Sequence, residues 1–314
     1  MGMRSNSEQL SESILKALAY YDVFNYPLRS EEIFAFLSTN HVDKHHVENE
    51  LKNLLSQTLV YQLGEFYSIR NDLTLEARRL AGNAEAKRSL EIAYRQAKLI
   101  FSFPFVKAVL ASGSLSKGYM DKNSDLDFFV ITQPGRLWVA RTLLALYKRI
   151  FLFNSHKYFC VNYYVDSDHL EIDEKNLFTA TELATLIPLC EAQLYVNLIE
   201  KNNWIYSLLP NYRPRTIEHV VEPKQSFIKI LLEKLLNSTL CNLMENFCMS
   251  FALGRWKRMY QGKYSEEDFN IAFKSTKHAS KNHPRNYQKK VRDLYEDKLN
   301  SLPMKLVSNW KYYE

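Results

Sequence analysis

The residues with the clearest chemical potential in this 314-residue chain lie between Leu110 and Thr132, in the stretch LASGSLSKGYMDKNSDLDFFVIT. Asp125 and Asp127 stand one residue apart at the head of an apolar, β-rich run. A strand's two-residue period sends both carboxylates to one face while Leu126 points to the other. Two carboxylates so placed repel each other and are costly to bury, and a divalent cation with oxygen ligands removes both penalties. Gly113-Ser114 follows a second apolar run just upstream. A glycine there lets the chain turn and brings backbone N–H groups against an anion, with the Ser114 hydroxyl and the Lys117 ammonium as further phosphate contacts. Asp125 and Asp127 are therefore the expected ligands of Mg2+ or Mn2+, and Gly113, Ser114 and Lys117 the expected nucleotide contacts. A metal beside a phosphate cradle points to nucleotidyl transfer.

The same residues carry a family resemblance. Gly113-Ser114, ten intervening residues and then Asp125-Leu126-Asp127-Phe128, with Ser124 before the first aspartate, resemble the signature of the DNA polymerase beta superfamily of nucleotidyltransferases. The resemblance covers about Leu99 to Val165, a fifth of the chain. It implies that Ser114 contacts the triphosphate, that Asp125 and Asp127 bind magnesium, and that a third carboxylate on a later strand helps deprotonate the acceptor. In KYFCVNYYVDSDHL the strand interior offers Asn162, so Asp166, at its end, is the provisional third catalytic acid, with Asp121 a weaker alternative. A sugar-nucleotide glycosyltransferase also uses an Asp-x-Asp, but that reading leaves the Gly-Ser turn without a role.

These side chains need a frame. A charged helix over about 75–101, the strand FVKAVLASGS, the strand SDLDFFVIT, a helix over 136–153 and the strand KYFCVNYYV make the centre an α/β (α+β) core with a small mixed sheet. Residues 11–72 read as three short helices and a hairpin turning at Gly64, the pattern of a winged helix-turn-helix. Ser30 is its N-cap candidate for the second helix. The third helix offers Glu48 and Glu50 beside Lys52 and Asn53, a poor match to a DNA-reading helix, which favours packing or protein contact over DNA. His41, His45 and His46 include an i, i+4 pair, yet no Cys or carboxylate completes a zinc set. From Thr179 onward the chain reads as almost wholly helical, with Glu182 and Glu191 as surface carboxylates. The expected divisions are a winged-helix-like module at 1–72, a nucleotidyltransferase core with its linking helix at 73–178 and a helical domain at 179–314.

Charge and cysteines bound the rest. The formal charge of +6 is concentrated in 255–298, where twelve Lys/Arg face six Asp/Glu. Trp256, Tyr260, Tyr264, Tyr287 and Tyr295 are interleaved there, so nucleic acid is a candidate partner through this segment or the amino-terminal module. A solvated helical face is the plainer reading. Four cysteines form no Cys-x-x-Cys pair, and Arg4, Glu8 and Glu12 stand where a signal peptide needs apolar residues, which predicts a reduced, cytoplasmic protein. The apolar stretches near 143–153 and 227–236 are interrupted by lysines, arginines or glutamate, so no membrane partner is expected. The function expected is a metal-dependent nucleotidyltransferase moving a nucleoside monophosphate from a nucleoside triphosphate to an acceptor the sequence does not name. The alternative is a catalytically degenerate nucleotide-binding or DNA/protein-binding regulator.

Overall fold

A computed structural model describes residues 6–40, 42–155, 157–237, 239–260, 262–284 and 286–302; His41 of the histidine group lies outside them. The chain opens with α1 (Asn6–Asp22), α2 (Ser30–Ala35) and α3 (Lys44–Ser56), then a hairpin of β1 (Tyr61–Leu63) and β2 (Phe66–Ser68). Asp43 caps α3 by accepting the His46 N–H at 2.9 Å. At α2 the cap is Arg29 rather than Ser30, and the Glu32 carboxylate reaches back to the Arg29 N–H at 2.8 Å. Each helix buries one apolar stripe in a shared core that includes Ile14, Leu18, Ile33, Val47 and Leu51. Glu50 is buried in α3 and accepts hydrogen bonds from Ser11 and Asn53, so it is not offered on the outer face.

The long α4 (Thr74–Phe101) leads into β3 (Val106–Ser112), the single turn α5 (Gly113–Ser116), β4 (Asp127–Thr132), α6 (Leu137–Phe151) and β5 (Cys160–Asp166). Then follow α7 (Leu177–Thr185), β6 (Ile187–Cys190), α8 (Ala192–Lys201), α9 (Ile205–Leu208), α10 (Phe227–Leu236), α11 (Thr239–Tyr260), α12 (Glu266–Ala272), β7 (Ala279–Lys281) and α13 (Tyr287–Ser301). The sheet has the order β6-β3-β4-β5-β7; β4 and β5, joined through α6, are parallel and the other pairs antiparallel.

Period-two alternation serves both faces. Val109, Ala111, Phe128 and Val130 meet α4, α6 and the α11–α12 region, whereas Ala108, Leu110, Phe129 and Ile131 meet α7, α8 and α9. A sheet covered on both faces reads as continuous apolar runs, which is how β3 and β4 appear in the sequence.

One expectation changes here. The segment after residue 178 is not wholly helical, because it supplies both edge strands of the sheet, and Pro188 lies inside β6, where an edge strand tolerates its missing N–H. The sheet therefore takes strands from both sides of residue 178. Most aromatic residues of the basic stretch also pack within the fold, while Tyr287 is exposed. Trp256, Tyr260 and Tyr264 pack around Phe273, and Tyr295 packs edge-on against Tyr20 in the amino-terminal core. Several of its cations are spent internally, Lys274 on Asp173 and Glu174, Lys289 on Asp268 and Lys298 on Asp22.

Arg79 of α4 ties the first module to the core. It is 2% exposed, donates to the Pro27 carbonyl at 2.7 Å, pairs with Glu32 at 2.6 Å and lies 3.6 Å over the Tyr26 ring. Arg79→Met strands Glu32 and a buried carbonyl and should lower the unfolding free energy by about 2–3 kcal/mol. Arg79→Lys should recover only part, since an ammonium cannot make the forked contacts. Urea denaturation reads both, and an unmoved midpoint for Arg79→Met would remove this contact from the joint.

Candidate active site

The antiparallel register of β3 and β4 sets Ser112 opposite Asp127, so the turn leaving β3 lies against the first residue of β4. Gly113 opens that turn with φ +63. A β-carbon at this position would stand 2.4 Å from Asp127 Oδ2. Both the backbone angle and the close approach exclude a side chain, which explains a glycine here on physical grounds. The carbonyl of Ser114, next in the turn, accepts the N–H groups of Lys117 and Tyr119 at 3.1 Å each. Gly113 is thus seated against Asp127, with Ser114 next in the turn.

Asp125 lies just before the strand rather than within it, since β4 begins at Asp127. Its charge still reaches Asp127. Burial pushes the Asp127 carboxyl up to about 7, and the negative charges of Asp125 and Glu182 push the same way. Hydrogen bonds from the Cys160 thiol and the Asn162 amide oppose this by stabilising the ionised form. Burial and the adjoining carboxylate raise the Cys160 thiol well above its usual range, so it is a hydrogen-bond donor and not a nucleophile.

The third strand delivers an amide where a third carboxylate was sought. The β4–β5 register shifts between Phe128 and Phe129, Asn162 is the extra residue, and its side chain turns onto Asp127 Oδ1. Asp166 cannot serve there. It pairs with Thr132 at the other end of β4, five residues from Asp127, a separation of about 16 Å at strand rise. Asp121 is occupied in its own turn, accepting from Asn123 N–H and the Ser124 hydroxyl at 2.9 Å each.

Glu182, for which the sequence favours a surface position over one facing the central module, is the further acid here. It lies on α7, and its Oε1 receives the Lys117 ammonium at 2.7 Å; Lys117 also donates to the Gly113 carbonyl at 3.3 Å. The turn, the Asp-x-Asp and α7 therefore form one site with three acids and one lysine. Carboxylate oxygens of this kind are what a hard divalent cation takes, although among the described residues the donor atoms lying within 4.8 Å of one another are those of Asp166, His169 and His278. The signal available in the sequence was the helical spacing that sets Glu182 beside buried Thr181 and Thr185, but nothing local reported which sheet face α7 would cover.

Asp166 has a different setting. It is fully buried and accepts from His169 Nδ1 at 2.8 Å and His278 Nδ1 at 2.7 Å, with the two rings stacked 3.5 Å apart. The donor atoms of the three residues lie within 4.8 Å of one another, a spacing compatible with a metal ion. His278 is therefore engaged by a carboxylate, and burial together with the Lys281 charge lowers His283 to about 3, so it is neutral.

The mixed sheet, with its Gly-Ser turn closing on the second carboxylate of the Asp-x-Asp pair, is consistent with a nucleotidyltransferase core. A family model described as a nucleotidyltransferase domain matches residues 94–236, from within α4 to the end of α10, and supports nucleotidyl transfer as the general chemistry of this segment. No curated protein and no solved structure matches the chain.

Gly113→Ala should cost about 1–3 kcal/mol of stability, since it adds strain at positive φ and drives a methyl group into Asp127. Chemical denaturation with and without magnesium measures it, and full stability would contradict the close packing of turn and carboxylate. Asp127 also predicts a pH dependence. Its folded value, about 7, exceeds that of the unfolded chain, so without a cation its contribution is fully present below about pH 4 and is lost as pH rises through about 7. Asp127→Asn should abolish this slope in a pH series of thermal midpoints, and parallel curves for the two proteins would refute the assignment.

Proposed function

We propose that this protein is a magnesium- or manganese-dependent nucleotidyltransferase whose site is the Gly113 turn, Asp125, Asp127, Lys117 and Glu182. The observation that carries the reading is the seating of Gly113 against Asp127, with two further acids close enough to raise it. Asp125 and Asp127 hold the cation, which when bound supplies charge neutralisation at the attacking and leaving oxygens. Ser114 and the N–H groups of the turn hold the triphosphate, and Lys117 exchanges Glu182 for a phosphate oxygen. The acceptor oxygen forms a bond to the α-phosphorus while the bond from that phosphorus to the bridging oxygen breaks, releasing pyrophosphate. Asn162 keeps Asp127 in place and cannot take a proton. In this reading Glu182, freed from Lys117, receives the acceptor's proton.

Asn162 also favours a second reading, a nucleotide-responsive regulator with a degenerate core. The helices α1 to α3 with their hairpin then form a winged-helix-like module, with Lys44, His45, Glu48, Asn49, Lys52 and Asn53 exposed on α3 as its contact surface. That mixed polarity suits a protein partner better than a phosphate backbone.

Transfer from each α-labelled ribonucleoside triphosphate, with magnesium or manganese, into protein, RNA and small-molecule fractions tests the enzyme reading. Asp125→Ala with Asp127→Ala should reduce label by at least about a hundredfold, and Glu182→Gln should reduce the maximal rate more than triphosphate affinity. Asp166→Asn should lose about 1–3 kcal/mol of stability and keep its activity per folded molecule. Nucleotide binding without any labelled product would select the regulator reading instead.

A further inference from the structure

Two consecutive helices turn a charged residue inward and large apolar ones outward, and α10 carries its polarity fully reversed. On α10 the buried side chain is Lys229, 1% exposed, whose ammonium donates to the carbonyls of Phe101 and Val106 at 2.6 Å each. One turn on, Glu233 accepts the Phe105 N–H at 2.7 Å. Phe227, Ile228, Leu231 and Leu235 form the opposite stripe and are exposed, Phe227 by 77%. α11 shares the feature only in part: its inner side packs Cys248, Met249, Ala252, Leu253 and Trp256 on the core, but it also buries a charge and exposes large apolar residues. Glu245 is buried and accepts the N–H groups of Trp138 and Val139 at 2.7 and 2.9 Å, satisfying the start of α6, while Leu243 and Phe247 face out, Phe247 by 70%. A surface helix ordinarily buries its apolar stripe and exposes its charges.

Charge is sorted in the same sense. Between Lys224 and Lys263 the chain has two acidic residues, Glu233 and Glu245, and both are the ones drawn inward. Exposed cations remain around the apolar stripes, Lys224 and Lys234 about α10 and Arg255, Lys257 and Arg258 at the end of α11. Ile228, Leu235, Leu243 and Phe251 are likewise exposed on these two helices, and large apolar side chains gathered at a surface mark an interaction site. An isologous dimer through this face would set the same cations against each other across the two-fold axis. An anionic lipid surface instead complements both features, accepting apolar side chains at the acyl boundary and cations at the headgroups.

We propose that the α10–α11 face docks this protein on an anionic phospholipid bilayer. No helix among the described residues is long and apolar enough to cross one, so the attachment is peripheral, by helices lying in the interface. The basic, apolar carboxyl-terminal half thus has a role distinct from nucleotide chemistry, and it holds whether or not the site transfers nucleotides.

Vesicle flotation of the full chain tests this, using phosphatidylcholine with about a third phosphatidylserine against phosphatidylcholine alone. The bound fraction should be at least about tenfold higher on the anionic vesicles and fall with salt. Phe227→Glu with Phe247→Glu should lower binding about tenfold, and Lys257→Glu with Arg258→Glu about fivefold per charge removed. Circular dichroism checks that each variant folds, and neither pair touches the nucleotide site. Equal partitioning onto both vesicles, no partitioning, or variants that float like the parent would overturn the proposal. So would a lipid-free dimer that the Phe227 and Phe247 substitutions dissociate, which would give the face to a second copy.

Discussion

Burying a carboxylate without a compensating cation is among the costlier things a fold can do, and the centre of this protein is arranged around one such group. Asp127 begins the middle strand of the sheet, lies under a glycine turn that leaves it no room to move, and takes hydrogen bonds from Cys160 and Asn162 that reduce the cost of its charge. Asp125 and Glu182 add negative potential that pushes the Asp127 carboxyl further in the direction burial already takes it. The rest of the architecture follows from keeping that carboxylate in register. The β3–β4 pairing positions the turn, the bulge in β5 turns Asn162 inward, and α7 covers the site with Glu182.

The departure from a three-carboxylate arrangement is specific in its geometry. Asn162 can orient Asp127 but cannot act as a base, and the buried acid further along the same strand, Asp166, holds two histidines at the far end of the sheet. Any proton transfer at the nucleotide site must therefore draw on an acid from another element, and Glu182 is engaged there through Lys117. The Lys117–Glu182 pair ties the turn to α7, since the same ammonium also donates to the Gly113 carbonyl.

The periphery obeys the same rule of charge placement. Arg79, Lys229, Glu233 and Glu245 all face inward and satisfy backbone groups or single partners, so charged side chains in this fold act as fasteners between elements. On α10 and α11 this leaves apolar residues outside. The spacing of apolar residues along α10 marks one side as apolar and is silent about which side the protein covers. The basic surplus after residue 254 behaves similarly, being divided between internal ion pairs and an exposed rim.

The sequence by itself determined the local features. Apolar alternation in 106–112 and 127–132, the Gly113-Ser114 turn, the spacing to Asp125 and Asp127, and the helix periodicity of the first 56 residues are short-range consequences of side-chain type, and each element formed close to where the pattern placed it. Only tertiary structure decided which distant residues complete the site. Asp166 is four residues from Asn162 in the chain, near enough to suggest a shared site, yet a strand carries its side chains steadily away from its start, and the parallel register removes Asp166 to the opposite end. In the sequence Glu182 reads as an ordinary surface acid, and Ile187–Cys190 and Ala279–Lys281 are hidden in a helical region. Their roles depend on partners 65 residues away or more, and no local propensity reports such a partner.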